Sequence, residues 1–198
     1  MSPAMLSPAA SGKRAALPRG GALPLGVMVY GNGLEADELL AQVAALLAAE
    51  GHRLGGVVQS SVHRPGRRKC DMYLRNLVSG EEILISLDRG NEARGCRLDS
   101  DAFARVSLWG EQALAEGVDL LVVNKFGKEE AQGRGLRSLI AEALIAGIPV
   151  VLGVSTVNLP DLQAFAGEEV KRLPPQREAI LAWCRTVIKP AFASAYLT

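Results

Sequence analysis

The pattern of apolar and polar residues predicts alternating strands and helices from residue 25 onward. Short apolar runs rich in β-branched residues indicate buried strands, and apolar residues three or four positions apart indicate helices. The strand candidates are Leu25–Tyr30, Leu54–Gln59, Met72–Asn76, Ile83–Leu87, Leu120–Val123, Pro149–Val154 and Gly167–Leu173. The helix candidates are Leu34–Glu50, Ser100–Glu116, Leu136–Ala146, Leu159–Ala166 and Pro175–Ile188.

These elements predict an α/β fold with a mostly parallel sheet between two layers of helices. The first strand, helix and second strand form a β-α-β unit, which implies parallel strands and a right-handed crossover. Val78-Ser79-Gly80 separates two short strands and predicts an inserted β-hairpin. We expect a disordered N-terminal tail over residues 1–23, because it has few large apolar groups. Residues 24–189 are predicted to form a single domain, followed by a C-terminal tail over residues 190–198.

Composition and charge narrow the class of protein further. The 198 residues are 48% apolar, which is enough for one substantial core, and the net charge of +1 argues against bulk attraction to nucleic acid or membrane. We find no stretch of signal-peptide type and no uninterrupted apolar segment of membrane-spanning length. The three cysteines form no C-x-x-C pair, so a reducing cytoplasm fits best. Cys70 and Cys96 could ligate a soft metal if they met, but buried or incidental thiols are the preferred interpretation.

The first strand-to-helix turn lies where many α/β proteins bind phosphate. It matches the dinucleotide pattern G-x-G-x-x-A weakly, and the nucleotide-loop pattern G-x-x-x-x-G-K-[ST] occurs nowhere in the chain. The acidic residues that follow the turn would complement the helix dipole themselves and repel a phosphate. We therefore favour a tight turn with a self-capped helix. The alternative is a remnant of a nucleotide loop formed by Gly31, Asn32 and Gly33.

The strand Leu120–Val123 is followed by Asn124 and Lys125, where a nucleotide hydrolase carries an acidic residue that holds magnesium. A neutral amide cannot supply that charge. Asn124-Lys125 also begins an N-K-x-D pattern of guanine recognition, but Gly127 occupies the place of its carboxylate. Magnesium-dependent hydrolysis is therefore disfavoured, and we lean towards a protein that is not an enzyme.

Two loops combine glycines with basic residues and predict a site for a small oxyanion. Glycines let backbone N–H groups approach an anion, and guanidinium groups bind oxyanions with two hydrogen bonds. If both loops lie at one edge of the sheet, they form one pocket. The alternative is two solvated loops whose basic groups pair with neighbouring carboxylates. The candidate ligands are Arg89, Arg94 and Arg97 in one loop, and Asn124, Lys125, Lys128 and Arg134 in the other.

Several segments carry a resemblance to a known family. DLLVVNKFGK and IPVVLGV resemble the thermophile-type nucleoside-triphosphatase family of P-loop proteins, over roughly Leu25 to Trp183. CDMYLRNLVSGEEILIS, DRGNEARGCRLD and VNKFGKEEAQGRGLR look more specifically like an uncharacterised bacterial offshoot, whose genes are often found beside molybdate-uptake or nitrogenase genes. The resemblance implies a P-loop-NTPase-like fold and a link to molybdenum. It does not carry over the hydrolase activity, because Gly31–Asp37 lacks the expected Gly, Lys and Ser/Thr.

We therefore expect a cytoplasmic, non-hydrolytic oxyanion-binding protein, with molybdate or tungstate as its ligand and a role in molybdenum uptake or handling. One alternative is a divergent nucleoside-triphosphatase or nucleotide-binding protein that uses the Gly31–Gly33 turn, with metal help from Asp119 or Asp88. A second alternative is an adaptor of a molybdate ABC transporter, or of another molybdenum-handling protein, that has no small ligand.

Overall fold

The structure is a computed structural model that describes residues 23–66, 69–87, 98–167 and 170–188. The strands within these ranges are β1 Leu25–Tyr30, β2 Leu54–Val62, β3 Asp71–Asn76, β4 Glu82–Leu84, β5 Leu120–Phe126, β6 Val150–Ser155 and β7 Lys171–Leu173. The helices are α1 Gly33–Ala49, α2 Ser100–Glu116, α3 Lys128–Ala131, α4 Arg137–Ile145, α5 Leu159–Ala166 and α6 Arg177–Val187.

The described strands form one sheet in the order β4-β3-β2-β5-β6-β1-β7. The five strands from β2 to β7 in this order are parallel, and the β3–β4 hairpin extends the sheet beyond β2 in antiparallel fashion. Side chains of α1 and α6 pack on one face, and those of α2, α4 and α5 pack on the other. This arrangement confirms the expected mostly parallel α/β fold with a hairpin insertion.

The central strand β5 shows why the apolar runs predicted strands correctly. Leu121 and Val123 belong to the core on the α4 face, whereas Leu120 and Val122 belong to the core on the α1 face. A parallel strand covered by helices on both sides needs apolar residues at every position rather than at alternate ones. Because β2 and β5 are parallel neighbours, the polar residues that follow their apolar runs lie at the same edge of the sheet.

Two predicted strand ends are wrong, and both errors matter for the site. The sequence places the end of the central strand at Val123, but β5 continues to Phe126, with a register shift against β6 after Val123. Asn124 and Lys125 therefore lie inside the strand. Likewise, β2 continues past Gln59 to Val62, because its last residues pair with β3. Hydrogen bonding to a neighbouring strand continues where the apolar run has already stopped.

Smaller differences concern the hairpin and the loop after β5. Strand β4 covers Glu82–Leu84 instead of Ile83–Leu87, and Ser86 forms an isolated bridge with Leu98. The short helix α3 was not predicted. Within the part of the chain that the structure describes, no helix combines the length and apolar character needed to cross a bilayer.

Several sequence predictions concern residues outside the described ranges. These are the N-terminal tail apart from Leu23, the C-terminal tail 190–198, Asp88, the arginines Arg89, Arg94 and Arg97, and Cys96. They stay predictions.

Candidate functional site

A buried carboxylate at the start of α1 forms the centre of the candidate site. Asp37 lies in the second turn of the helix, and only 5% of it is exposed. Its Oδ1 accepts a hydrogen bond from Asn124 Nδ2 at 2.5 Å and lies 3.2 Å from Lys125 Nζ. Its Oδ2 accepts a hydrogen bond from Gln59 Nε2 at 3.0 Å. We call these four residues the Asp37 cluster. Its hydrogen bonds and ion pair connect α1 to β2 and β5.

The protonation of this cluster is set by opposing effects. Burial raises the pKa of Asp37, while Lys125 and the amide donors of Asn124 and Gln59 act to lower it, and the net shift is upward. Tyr30, at the end of β1, has a pKa raised to about 12 by burial and by the charge of Asp37. The phenol therefore stays neutral at physiological pH, and Asp37 takes up a proton more readily than an exposed aspartate does.

The Asn124 side chain is only half satisfied. Its residue is 2% exposed, and its Nδ2 donates to Asp37, but its buried Oδ1 has no hydrogen-bond partner among the described residues. Leaving a buried acceptor unpaired costs about 1–3 kcal/mol. A buried atom of this kind in a folded protein calls for an explanation such as a bound water or a rearranged side chain that completes the hydrogen bonding.

A cavity of about 70 Å³ is lined by Gln59, Asn124 and Lys125 of this cluster, and not by Asp37. That volume holds several water molecules or a small ligand. Its apolar wall consists of Val57, Leu74, Ile85, Leu98, Phe103 and Leu136. Its polar wall consists of Gln59, Asn124, Lys125, Gly127, Lys128, Glu129 and Glu130. The cavity therefore has a charged end at β5 and α3 and an apolar end between β2, β3 and α2.

The loop after β5 is closed by a carboxylate of its own. Glu130 is 3% exposed, and its two oxygens accept hydrogen bonds from the backbone N–H groups of Gly127 and Leu136, both at 2.9 Å. Burial raises the pKa of Glu130, and these backbone donors oppose the shift. The N–H group of Gly127, which the sequence offers to an external anion, is therefore already bound within the chain.

The basic residues at the end of β5 and in the loop after it differ in exposure and in their partners. Lys128 is exposed and lines the cavity, and Lys125 lines it with a side chain that is 30% exposed. Arg134 Nε donates to Glu129 Oε2 at 2.8 Å, so it belongs to an ion pair on the loop. Of the predicted oxyanion ligands within the described ranges, the structure thus brings Asn124, Lys125 and Lys128 to the cavity and pairs Arg134 with a carboxylate.

The first strand-to-helix turn is short and internally satisfied. Only Gly31 and Asn32 separate β1 from α1, and Gly33 is the first helical residue. The Asn32 side chain accepts a hydrogen bond from the N–H of Leu34 at 3.1 Å and donates one to Glu35 at 2.9 Å. The helix start is therefore capped by its own side chains, as in the preferred interpretation of the sequence.

The cysteines form no recognisable metal centre in the described part of the chain. Cys70 Sγ lies 3.8 Å from His63 Nδ1, and no group of three or more potential metal-binding side chains occurs within the described ranges. Cys184 is buried in the core, and burial raises the pKa of its thiol to about 12.

Sequence reasoning missed Asp37 and Gln59. It placed Asp37 among the acidic residues that complement the helix dipole, and it did not predict that this side chain is buried against the sheet. A signal was present: Asp37 precedes Leu40, Ala44 and Leu47 at helical spacing, and these three residues belong to the buried face of α1. A carboxylate on that face must contact the sheet.

Comparison of folds connects the chain with nucleoside triphosphatases. The crystal structure of THEP1 from the hyperthermophile Aquifex aeolicus matches with a TM-score of 0.63 at 13% identity, covering 84% of this chain and 99% of THEP1. The solution structure of a human cancer-related nucleoside triphosphatase matches with a TM-score of 0.57 at 16% identity, covering 86% of this chain and 98% of that protein. At these identities the likeness shows the P-loop NTPase fold alone.

Comparison of sequences gives a nearer relative and the family. The molybdenum import ATP-binding protein ModC 2 of Bradyrhizobium diazoefficiens is 39% identical over 149 residues, which is 75% of this chain but only 17% of that protein. Residues 25–183 match the sequence profile of the protein family of unknown function DUF2478. The P-loop-like fold and the profile match over most of its length establish that the chain belongs to the DUF2478 family.

Proposed function

We propose that this chain is a non-hydrolytic binder of a small oxyanion, molybdate or tungstate, and that it acts in the uptake or handling of molybdenum. The observation that carries the proposal is the pair of lysines, Lys125 and Lys128, at the polar end of the cavity. Lysine ammonium groups are compact positive charges that suit tetrahedral oxyanions. The amides of Gln59 and Asn124 in the same wall provide further polar contacts for such an anion.

The Asp37 cluster supports the non-hydrolytic part of the proposal. P-loop hydrolases hold magnesium between a Ser or Thr of the phosphate loop and an acidic residue at the end of a central strand. In this chain, the start of α1 and the end of β5 are joined directly by Asp37, Asn124 and Lys125. The two-residue turn before α1 offers no long loop to surround a triphosphate. The arrangement leaves little room for magnesium and nucleotide at the usual place.

The relative with the molybdenum-import name supports the link to molybdenum. Its matching segment makes up a small part of a much longer ATP-binding protein. When a domain of such a protein occurs in a shorter chain, that chain can act as a partner of a molybdenum import system or as a component that senses its solute. The molybdenum oxyanion that such a system imports would then be the ligand of this domain.

Thermal unfolding of the full chain tests the proposal. We expect molybdate and tungstate to raise the unfolding temperature more than phosphate or sulfate does, because a ligand at about a hundred times its dissociation constant adds roughly 2.7 kcal/mol. We expect Lys128→Ala to weaken molybdate binding about tenfold or more. The matched control is Lys171→Ala, since Lys171 is exposed on β7, the outermost strand and three positions away from β5 in the sheet. Absence of any shift with the oxyanions would overturn the proposal.

Two other functions have specific support and separate outcomes in the same experiment. The fold likeness to nucleoside triphosphatases favours nucleotide binding, which a shift with ATP or GTP and magnesium, together with phosphate release, would establish. The ModC 2 relative favours an adaptor without a small ligand. That function predicts no shift with any ligand, and retention of a molybdenum-import ATP-binding protein in a pull-down.

A further inference from the structure

The apolar end of the cavity has no role in binding an inorganic oxyanion. Its wall includes three buried residues and two half-buried ones: Val57, Leu74, Ile85, Leu98 and Phe103. An inorganic oxyanion exposes only charged oxygens, and a charged group loses free energy when it leaves water for apolar surroundings. A ligand that contacts the whole cavity must therefore be charged at one end and apolar at the other.

The apolar end also offers poor surroundings for water. The side chains that line it in the described part of the chain are aliphatic or aromatic. Backbone groups beside them are already engaged, since the N–H of Ile85 donates to Met72 O at 2.8 Å and the N–H of Asp99 donates to Ile85 O at 2.9 Å. A buried water needs about two to four polar partners, whereas apolar cavities stay dry and take up apolar molecules.

The dimensions of the cavity limit the size of the apolar group. Its volume of about 70 Å³ is about half of the roughly 150 Å³ at which an engineered apolar cavity accepts benzene. Val57 of the apolar wall and Gln59 of the polar wall are two residues apart on β2, which corresponds to about 7 Å along the strand. A chain of about three or four carbons attached to a small oxyanion suits this volume and this distance.

The charges at the polar end favour an anionic head group. Its two carboxylates already have partners within the chain, because Glu129 is in an ion pair and Glu130 accepts backbone hydrogen bonds. Lys125 and Lys128 supply positive charge at the same end. Lys125 Nζ lies 3.2 Å from Asp37 Oδ1, whereas Lys128 is exposed, so we expect Lys128 to contribute more to anion binding.

We propose that the cavity binds an oxyanion that carries a compact apolar substituent of about three or four carbons. The oxyanion contacts the lysines, and the substituent packs against Val57, Leu74 and Phe103. This inference rests on the proposed function for the place of the anion, at Lys125 and Lys128. It adds the substituent, so that inorganic molybdate or tungstate occupies the polar end alone and binds more weakly than a substituted oxyanion of the same charge.

Calorimetric titration of the full chain with inorganic phosphate and with methyl, ethyl, propyl, butyl and hexyl phosphate tests the inference. Each methylene group that leaves water for an apolar wall raises affinity about fourfold. We expect propyl phosphate to bind about tenfold more tightly than methyl phosphate, and hexyl phosphate to gain nothing over butyl phosphate because the cavity is full. Propylamine, which joins a similar chain to a positive charge, should not bind. Equal affinity along the series would show that the apolar end is a packing void and would overturn the inference.

A variant with a filled cavity locates the substituent. Val57→Phe should bind methyl phosphate like the wild type and lose the gain with chain length. The matched control is Val62→Phe, since Val62 is exposed on the same strand and does not line the cavity. If Val57→Phe does not fold, Phe103→Trp fills the same end from α2. A wild-type series in the folded filled variant would overturn the placement of the substituent.

The same titrations separate this inference from the proposed function. Molybdate binding together with a flat alkyl phosphate series would overturn the inference and leave the proposed function standing. A rising alkyl phosphate series without binding of molybdate or tungstate would support the inference and overturn the proposed function. Binding of none of these anions would overturn both.

Discussion

Two buried carboxylates, Asp37 and Glu130, accept hydrogen bonds from different kinds of partner. Glu130 accepts hydrogen bonds from backbone N–H groups of its own segment, Gly127 and Leu136. Asp37 accepts hydrogen bonds from side chains of two strands that are distant in sequence, through Gln59 and Asn124. Burial raises the pKa of both groups. Their surroundings nevertheless assign them different roles.

The direction of a backbone N–H group is fixed by the path of the chain, whereas an amide side chain can rotate about its own torsions. The partners of Glu130 are fixed by the path of the chain from α3 to α4, so this carboxylate stabilises a loop. The partners of Asp37 include an amide with one unsatisfied end and a lysine that is partly exposed. The comparison teaches that backbone donors fix Glu130 within its own loop, whereas side-chain donors connect Asp37 to two strands that are distant in sequence.

The largest expected effect on stability is at Glu130. Glu130→Ala leaves two N–H groups without an acceptor, and we expect it to lower the free energy of unfolding by about 3 kcal/mol. Unfolding in urea measures this. The control is Glu129→Ala, which removes a surface ion pair with Arg134 and should cost less than about 1 kcal/mol. Equal losses in the two variants would contradict the distinct role of Glu130.

A substitution at Gly135 tests the same loop, because Gly135 lies against the carboxylate of Glu130. Its φ of +56° and a Cβ placed 2.2 Å from Glu130 Oε1 mean that an added methyl group displaces the carboxylate. We expect Gly135→Ala to cost about 2 kcal/mol or more in urea unfolding. Gly133→Ala is the matched control, because Gly133 has a φ of +82° but open space around its Cβ, so only the backbone cost of about 1 kcal/mol applies. A smaller loss at Gly135 than at Gly133 would show that the carboxylate is not confined.

The smallest effect concerns the pH dependence of stability at Asp37. Because burial raises its pKa in the folded state, the folded protein holds the proton more tightly than the unfolded chain does. Its contribution to stability is therefore present at low pH and is lost as pH rises from the ordinary carboxyl range through the raised value. Asp37→Asn lacks this loss, so the free energy of unfolding of the variant minus that of the wild type should increase over that interval.

Urea unfolding at a series of pH values measures this difference, and the contribution of Glu130 cancels because both proteins contain it. Glu38→Gln should show no such increase, since Glu38 is exposed. Parallel stability curves for Asp37→Asn and the wild type would show that Asp37 gains no proton affinity on folding.

Local sequence patterns predicted most of the fold. The apolar runs and helical spacings predicted nearly all described strands and helices. In β5, for example, helices cover both faces, so each position from Leu120 to Val123 must be apolar. The absence of the pattern G-x-x-x-x-G-K-[ST], and the presence of Asn124 after the apolar run of β5, could also be read from the sequence, since both are local features. Lys125 and Lys128 were predicted as candidate ligands from the same local pattern, and both line the cavity.

The content of the site depended on contacts across the chain. Asp37 and Asn124 are 87 positions apart, and nothing in either segment shows that the two side chains meet. The local sequence also does not show that Glu130 occupies the N–H group of Gly127, or that Arg134 pairs with Glu129. In each case an internal carboxylate competes with an external anion for the same donor, and only three-dimensional distance decides which one is bound.

The sequence by itself thus determined the layered α/β architecture, the family and the absence of a nucleotide-binding loop pattern, because these follow from local periodicity and short motifs. Tertiary structure decided which of the polar residues form a site. It buried Asp37 against β2 and β5, and it left the side-chain oxygen of Asn124 buried without a partner among the described residues. It also bound Glu130 to backbone N–H groups of its own loop. The physical reason is that hydrogen bonding and burial act between residues close in space, whatever their separation along the chain.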